Sequence, residues 1–140
     1  MSTDKNNIES LLHKDITEEI ISAYYYVYNE LGYGFLEKVY ENAMLIELKS
    51  RGFKVESQKI IKVNFKDSIV GEYFADIIVE DKIILELKSC EALVPEHEVQ
   101  LFNYLKATNI EVGLLFNFGK RAAFKRKVFT NDNKKFSFTN

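Results

Sequence analysis

With 140 residues, 46% of them hydrophobic, the chain has material for one domain with a real core and too little for two. Its lone cysteine, Cys90, excludes an internal disulfide, and with only His13 and His97 beside it there is no zinc-type cluster, so any metal must be oxygen-ligated. No apolar run reaches bilayer length and the polar stretch Met1 to Ser10 has no signal-peptide core, so a cytoplasmic location without a membrane partner is expected.

Ile16, Ile20, Ala23, Tyr24, Val27, Tyr28 and Leu31 recur at three- and four-residue spacing, which predicts a helix burying one stripe. Asp15 with Glu18 has the form of a capping box at its start, and Gly32 is a C-terminal stop. Gly32-Tyr33-Gly34-Phe35 lacks the preceding strand and the third glycine of a dinucleotide loop, and reads as a turn between helices. A second helix is expected from about Leu36 to Arg51, with Leu36, Val39, Tyr40, Ala43 and Met44 on its apolar side and Glu37 in its first turn.

After Gly52 the periodicity changes towards strands. Gln58 to Phe65 alternates, Lys66-Asp67-Ser68 supplies a turn, and Ile69 to Val79 follows as a second strand. A polar break, Glu80-Asp81-Lys82, separates it from Ile83-Ile84-Leu85-Glu86-Leu87-Lys88, so these last two strands form a hairpin that carries acids. Strand alternation puts Glu86 and Lys88 on one face and Ile83, Leu85 and Leu87 on the other. Glu47-Leu48-Lys49 repeats the pattern, but on a predicted helix, where residues two apart do not face each other. Loop length decides the register. A two-residue turn would oppose Asp76 to Leu85, whereas the three-residue loop predicted here opposes Asp76 to Glu86.

Ser89 to Val94 reads as a loop, Pro95 suits the first turn of a helix running to Asn109, and Glu111 to Phe118 is an apolar strand. Lys125 to Phe129 is expected as an edge strand and Asn131 to Asn140 as a polar end. This order calls for a mixed sheet with helices packed on it. From Phe118 to Asn140 seven basic residues face a single acid, Asp132, so the net charge of −2 hides an acidic body with a basic end suited to a phosphate-bearing partner.

Taken together, these motifs resemble a known family. Gly34-Phe35-Leu36-Glu37-Lys38-Val39-Tyr40 has the spacing that names the GxxExxY proteins, and Asp76 followed by Glu86-Leu87-Lys88 resembles the acid, acid, lysine signature of the PD-(D/E)XK nuclease superfamily. Gln100-Leu101-Phe102-Asn103-Tyr104 is similar to the QxxxY element of its RecB-like branch, while Ala75 stands where the superfamily name has proline. The resemblance implies an α/β restriction-endonuclease-like core, a mixed central sheet flanked by helices. The domain would span residues 1–140, with polar ends at about 1–14 and 131–140.

What the resemblance implies chemically is phosphodiester hydrolysis with Mg²⁺ or Mn²⁺, since a cation neutralises charge developing on the phosphate and activates water. Asp76 and Glu86 would be catalytic residues and metal ligands, joined by Glu37 from the second helix. Lys88 would orient or deprotonate the water, or stabilise the phosphate charge. Gln100 and Tyr104, one helical turn apart, would hydrogen-bond a phosphate or an acid. Lys120, Arg121, Lys125, Arg126 and Lys127 would track a backbone, with a base stacked on Phe124.

Each residue also has a plainer reading. Glu86 and Lys88 could be an exposed pair, Glu37 a favourable first-turn acid, Tyr104 a core aromatic bordered by Gln100, and the basic run a solvated face. A hydrolase built on Cys90 and His97 lacks an orienting third group. The expected partner is nucleic acid, DNA in the first instance, with a homodimer left open. The rival to an enzyme is a non-catalytic module on the same scaffold that binds nucleic acid or protein.

Overall fold

The structure, a computed structural model, describes residues 5–134; the outermost parts of both expected polar ends, and Lys135 of the basic run, lie outside that range. A short helix α1 (Lys5–Leu11) occupies much of the stretch expected to be a polar end, and the chain then bends through His13, whose φ of 54° is left-handed. Helix α2 (Lys14–Leu31) begins one residue ahead of Asp15, so that acid lies inside the first turn and no side chain caps the helix. Its end is as expected: Gly32, at φ 71°, donates its N–H to Tyr28 O at 2.8 Å.

Helix α3 (Glu37–Ser50) buries Tyr40, Glu41, Met44 and Leu48. Leu36 and Val39, expected on the apolar side, are exposed instead at 80% and 38%. The buried stripe begins at Tyr40, and the first turn overhangs it.

Strands β1 (Val55–Phe65), β2 (Ser68–Val79), β3 (Ile83–Lys88), β4 (Val112–Phe118) and β5 (Ala122–Val128) form one five-stranded sheet in that order. Only β3 and β4 are parallel, joined by helix α4 (Pro95–Lys106); the other neighbours are antiparallel. Helix α4 stops three residues short of the expected Asn109, and β5 begins at Ala122 rather than Lys125. Ile77, Val79, Leu85, Leu87, Leu114 and Phe116 face α2 and α3, while Ile78, Ile84 and Leu115 face Leu101, Tyr104 and Leu105 of α4. Helix α4 lies so close to β4 that a Cβ on Gly113 would sit 2.6 Å from Leu101 Cδ1. Among the described residues no helix is long and apolar enough to cross a membrane.

Candidate active site

The site is built where β2 and β3 stop pairing. Their loop, Glu80 to Lys82, holds Glu80 and Asp81 at φ 54° and 56°, and Lys82 N–H closes it on Val79 O at 2.9 Å. The register runs Val79↔Ile83, Ile78↔Ile84 and Ile77↔Leu85. One step further it sets Asp76 against Glu86, as the three-residue loop predicts. At that step side chains replace the backbone ladder. Asp76 N–H donates to Glu86 Oε2 at 2.8 Å, and Leu87 N–H donates to Asp76 Oδ2 at 2.8 Å. Face alternation also slips here, because Ala75 packs with Ile78 on the α4 side although Ile77 lies on the other. The strands therefore part into a fork with a carboxylate on each prong.

Burial makes this pair electrostatically tense. Glu86 is 4% exposed, and burial, then the neighbouring Asp76 charge, pushes its carboxyl up to about 8. Asp76 is raised above the ordinary carboxylate value by burial, with Glu41 adding to the rise and the Leu87 N–H bond opposing it. Lys88, half-buried on the same face of β3 as Glu86, opposes both shifts through its charge.

The third acid is not the expected one. Glu37 is exposed, and the acid that α3 brings to the fork is Glu41, 4% exposed and one helical turn further along. Glu41 accepts from Lys38 Nζ at 2.5 Å and from Gln58 Nε2 at 2.6 Å, and the same Gln58 amide reaches Asp76 Oδ1 at 3.4 Å. Glu37, expected as a metal ligand, instead sits exposed in the first turn of α3, ahead of the buried stripe. The available signal for Glu41 was its place beside the stripe of Tyr40, Met44 and Leu48. Gln58 carried no signal of its own.

From the opposite layer, α4 brings up Gln100 and Tyr104, and Gln100 Nε2 donates to Tyr104 Oη at 3.0 Å. Tyr104 is buried against Tyr73, ring centroids 5.6 Å apart. Its hydroxyl is pushed up to about 12 by burial and then by the charges of Glu86 and Asp76. It is thus a core aromatic whose polar tip senses both acids.

Two loops hold these parts in place. Asn117, buried in β4, accepts Cys90 N–H at 3.0 Å and donates to Cys90 O at 2.9 Å, clamping the chain just after Lys88. Ser89 Oγ then donates to Phe35 O at 2.9 Å, while Tyr40 Oη donates to Gly32 O at 2.7 Å and accepts Phe35 N–H at 3.1 Å. Cys90 and His97 are engaged separately, Sγ on Ala92 O at 3.3 Å and Nδ1 on the Val94 N–H at 3.2 Å.

The basic run divides. Lys120, Arg121 and Lys125 are exposed. Arg126 instead donates to Glu9 O at 3.0 Å and Leu12 O at 2.7 Å, tying down the end of α1. Lys127 pairs with Glu98 of α4 at 2.6 Å. Phe124 packs 6.1 Å from Phe116 and 6.3 Å from Tyr25, so the expected base-stacking role for it is withdrawn, as is free phosphate contact by Arg126 and Lys127. The reason is the alternation of β5, which directs Arg126 towards α1 and Lys127 towards α4.

Mg²⁺ takes one or two carboxylates and completes its octahedron with water and phosphate oxygens. Asp76 and Glu86 match that donor set, and a half-buried and a buried acid that repel each other would gain from a cation between them. Among the described residues no group of three or more His, Cys, Asp or Glu side chains is arranged to hold a metal; Glu41 is taken up by Lys38 and Gln58.

A family model described as the PD-(D/E)XK nuclease superfamily matches residues 14–128. The crystal structure of SSO0001 is similar with a TM-score of 0.55 at 20% sequence identity, over 84% of this chain and 60% of that one. This chain therefore spans less than two thirds of that protein's length, and at such identity the likeness speaks for the fold. No curated protein matches the chain.

Proposed function

Because the chain belongs to the PD-(D/E)XK nuclease superfamily, we propose that it hydrolyses nucleic-acid phosphodiester bonds with Mg²⁺ or Mn²⁺ at the fork between β2 and β3. The observation that carries this reading is the opposition of Asp76 and Glu86, linked through Asp76 N–H at 2.8 Å, with Lys88 on the same face of β3 as Glu86. Asp76 and Glu86 are the metal ligands, and Glu41, held by Lys38 and Gln58, is joined to Asp76 only through the Gln58 amide. The cation, when bound, neutralises charge developing on the phosphate and makes water a better nucleophile. Lys88 orients that water or stabilises the phosphate charge. Gln100 and Tyr104 hydrogen-bond an acid or a phosphate oxygen from the α4 side, and Lys120, Arg121 and Lys125 attract the backbone. Within the superfamily we assign the Gly34 to Tyr40 motif to the GxxExxY proteins and Gln100 with Tyr104 to the RecB-like branch. DNA is the proposed substrate, acted on by the chain as one domain.

The test is to incubate the purified protein with labelled single-stranded, double-stranded and branched oligonucleotides, with Mn²⁺ or with a chelator. Cleavage in Mn²⁺ that the chelator abolishes is the expected result. Oligonucleotide binding without cleavage would turn the reading to a binding module, and a protein that takes up neither Mn²⁺ nor oligonucleotide would remove it.

A further inference from the structure

Between two regular pairs of the β1–β2 ladder, Ser57↔Ile77 and Lys59↔Ala75, Gln58 adopts φ 52°, in the left-handed region. Residues with a β-carbon avoid this region, and where one occupies it inside a strand, something around it must hold it there. Nothing in the packing calls for it, since Gln58 is exposed. What the side chain touches supplies the reason. The same Nε2 donates to Glu41 Oε1 at 2.6 Å and reaches Asp76 Oδ1 at 3.4 Å. One neutral donor thus spans two acids that come from different layers and would otherwise repel each other. The other Glu41 partner is Lys38, 64% exposed, so the buried carboxylate is held between a surface amine and the Gln58 amide.

We propose that Gln58 is a positioning residue that ties the acid of α3 to the acids of the fork and sets the separation at which a divalent cation is received. The proposal rests on the metal-dependent reading of that site. Gln58 acts through Glu41 and Asp76, in the way outer groups orient the carboxylates that ligate a metal. The backbone is strained at the one position of β1 that lies across from Asp76.

Two substitutions separate the side chain from the backbone. Gln58→Gly removes the amide and suits the left-handed backbone, whereas Gln58→Met keeps the β-carbon and approximate length but has no donor. Both are followed by thermal unfolding of the metal-free protein and by calorimetric titration with Mn²⁺. The glycine variant is expected to melt at or above the wild-type temperature. Both variants are expected to bind Mn²⁺ about tenfold more weakly than wild type. If wild type binds Mn²⁺ and both variants bind it equally well, the positioning role is overturned while the nuclease reading stands. Tighter binding in the variants would also overturn it, by showing that the amide occupies the cation's place. Wild-type protein that binds no Mn²⁺ would overturn both. Should the glycine variant fail to fold, the methionine variant alone decides.

Discussion

At the fork, the buried Glu86 meets the half-buried Asp76, and the ordinary values of both are displaced upward. Along β5 the charges are as dense, yet Arg126 is satisfied by the carbonyls of Glu9 and Leu12 and Lys127 by the carboxylate of Glu98. Both regions look charged in the sequence. Only the first holds acids whose ordinary values burial and mutual repulsion displace, and that is what marks it as a place for something from outside.

The largest effect that tests this contrast belongs to Glu86. Replacing it in Glu86→Gln removes a ligand, so Mn²⁺ binding should weaken and cleavage should fall to background. Stability should move the other way. Glu86 titrates near 8 in the fold against an ordinary 4.5, so the fold favours its neutral form. That contribution is complete below the ordinary value and is lost as pH rises towards 8. Metal-free wild type should therefore lose melting temperature between pH 5 and 8 relative to Glu86→Gln; parallel melting curves for the two would show that the fork is not tense.

Lys88→Ala comes next. Cleavage should drop by about 10² to 10³, while Mn²⁺ affinity, measured by calorimetry, is retained or slightly improved because a neighbouring cation is gone. A variant that cleaves normally would remove Lys88 from the mechanism.

On the basic side the outcome should be structural. Arg126→Ala takes away a charged donor from two carbonyls and should cost about 1 to 3 kcal/mol in urea unfolding, with cleavage of a short oligonucleotide unchanged. Lys127→Ala breaks an ion pair whose side chains are 32% and 29% exposed, a change of less than about 1 kcal/mol. Oligonucleotide binding sharpens the comparison further. Lys120→Ala should lower the salt slope of binding by about one unit and Lys127→Ala should leave it unchanged; equal losses would mean that a charge with a protein partner still meets the substrate.

How much of this could be read from the sequence depended on whether the deciding interaction is local. The opposition of Asp76 and Glu86 is legible because loop length fixes strand register. The order of strands is legible because period and turn residues change together. Glu37 and Glu41 lie one turn apart on the same side of a helix; the motif drew attention to the exposed one, and only the stripe of Tyr40, Met44 and Leu48 hinted at which turn the sheet covers. Leu36 and Val39 were misjudged for the same cause. The partner of Arg126 is 117 residues away at Glu9, beyond any local pattern. Helix α1, seven residues long, is too short to display a period. Gln58 is the hardest case, because no combination of side-chain types announces a left-handed residue within a strand.

Gly113 adds a mechanical consequence. At the contact where its hydrogen faces Leu101, the clearance between α4 and β4 is set by the absence of a side chain. Leu101 lies on α4 between Gln100 and Tyr104, so a methyl group at position 113 would act as a wedge against the Leu101 side chain. Gly113 is in this sense a shim of zero thickness, and the seat of Leu101 is fixed by what the strand beneath it leaves out.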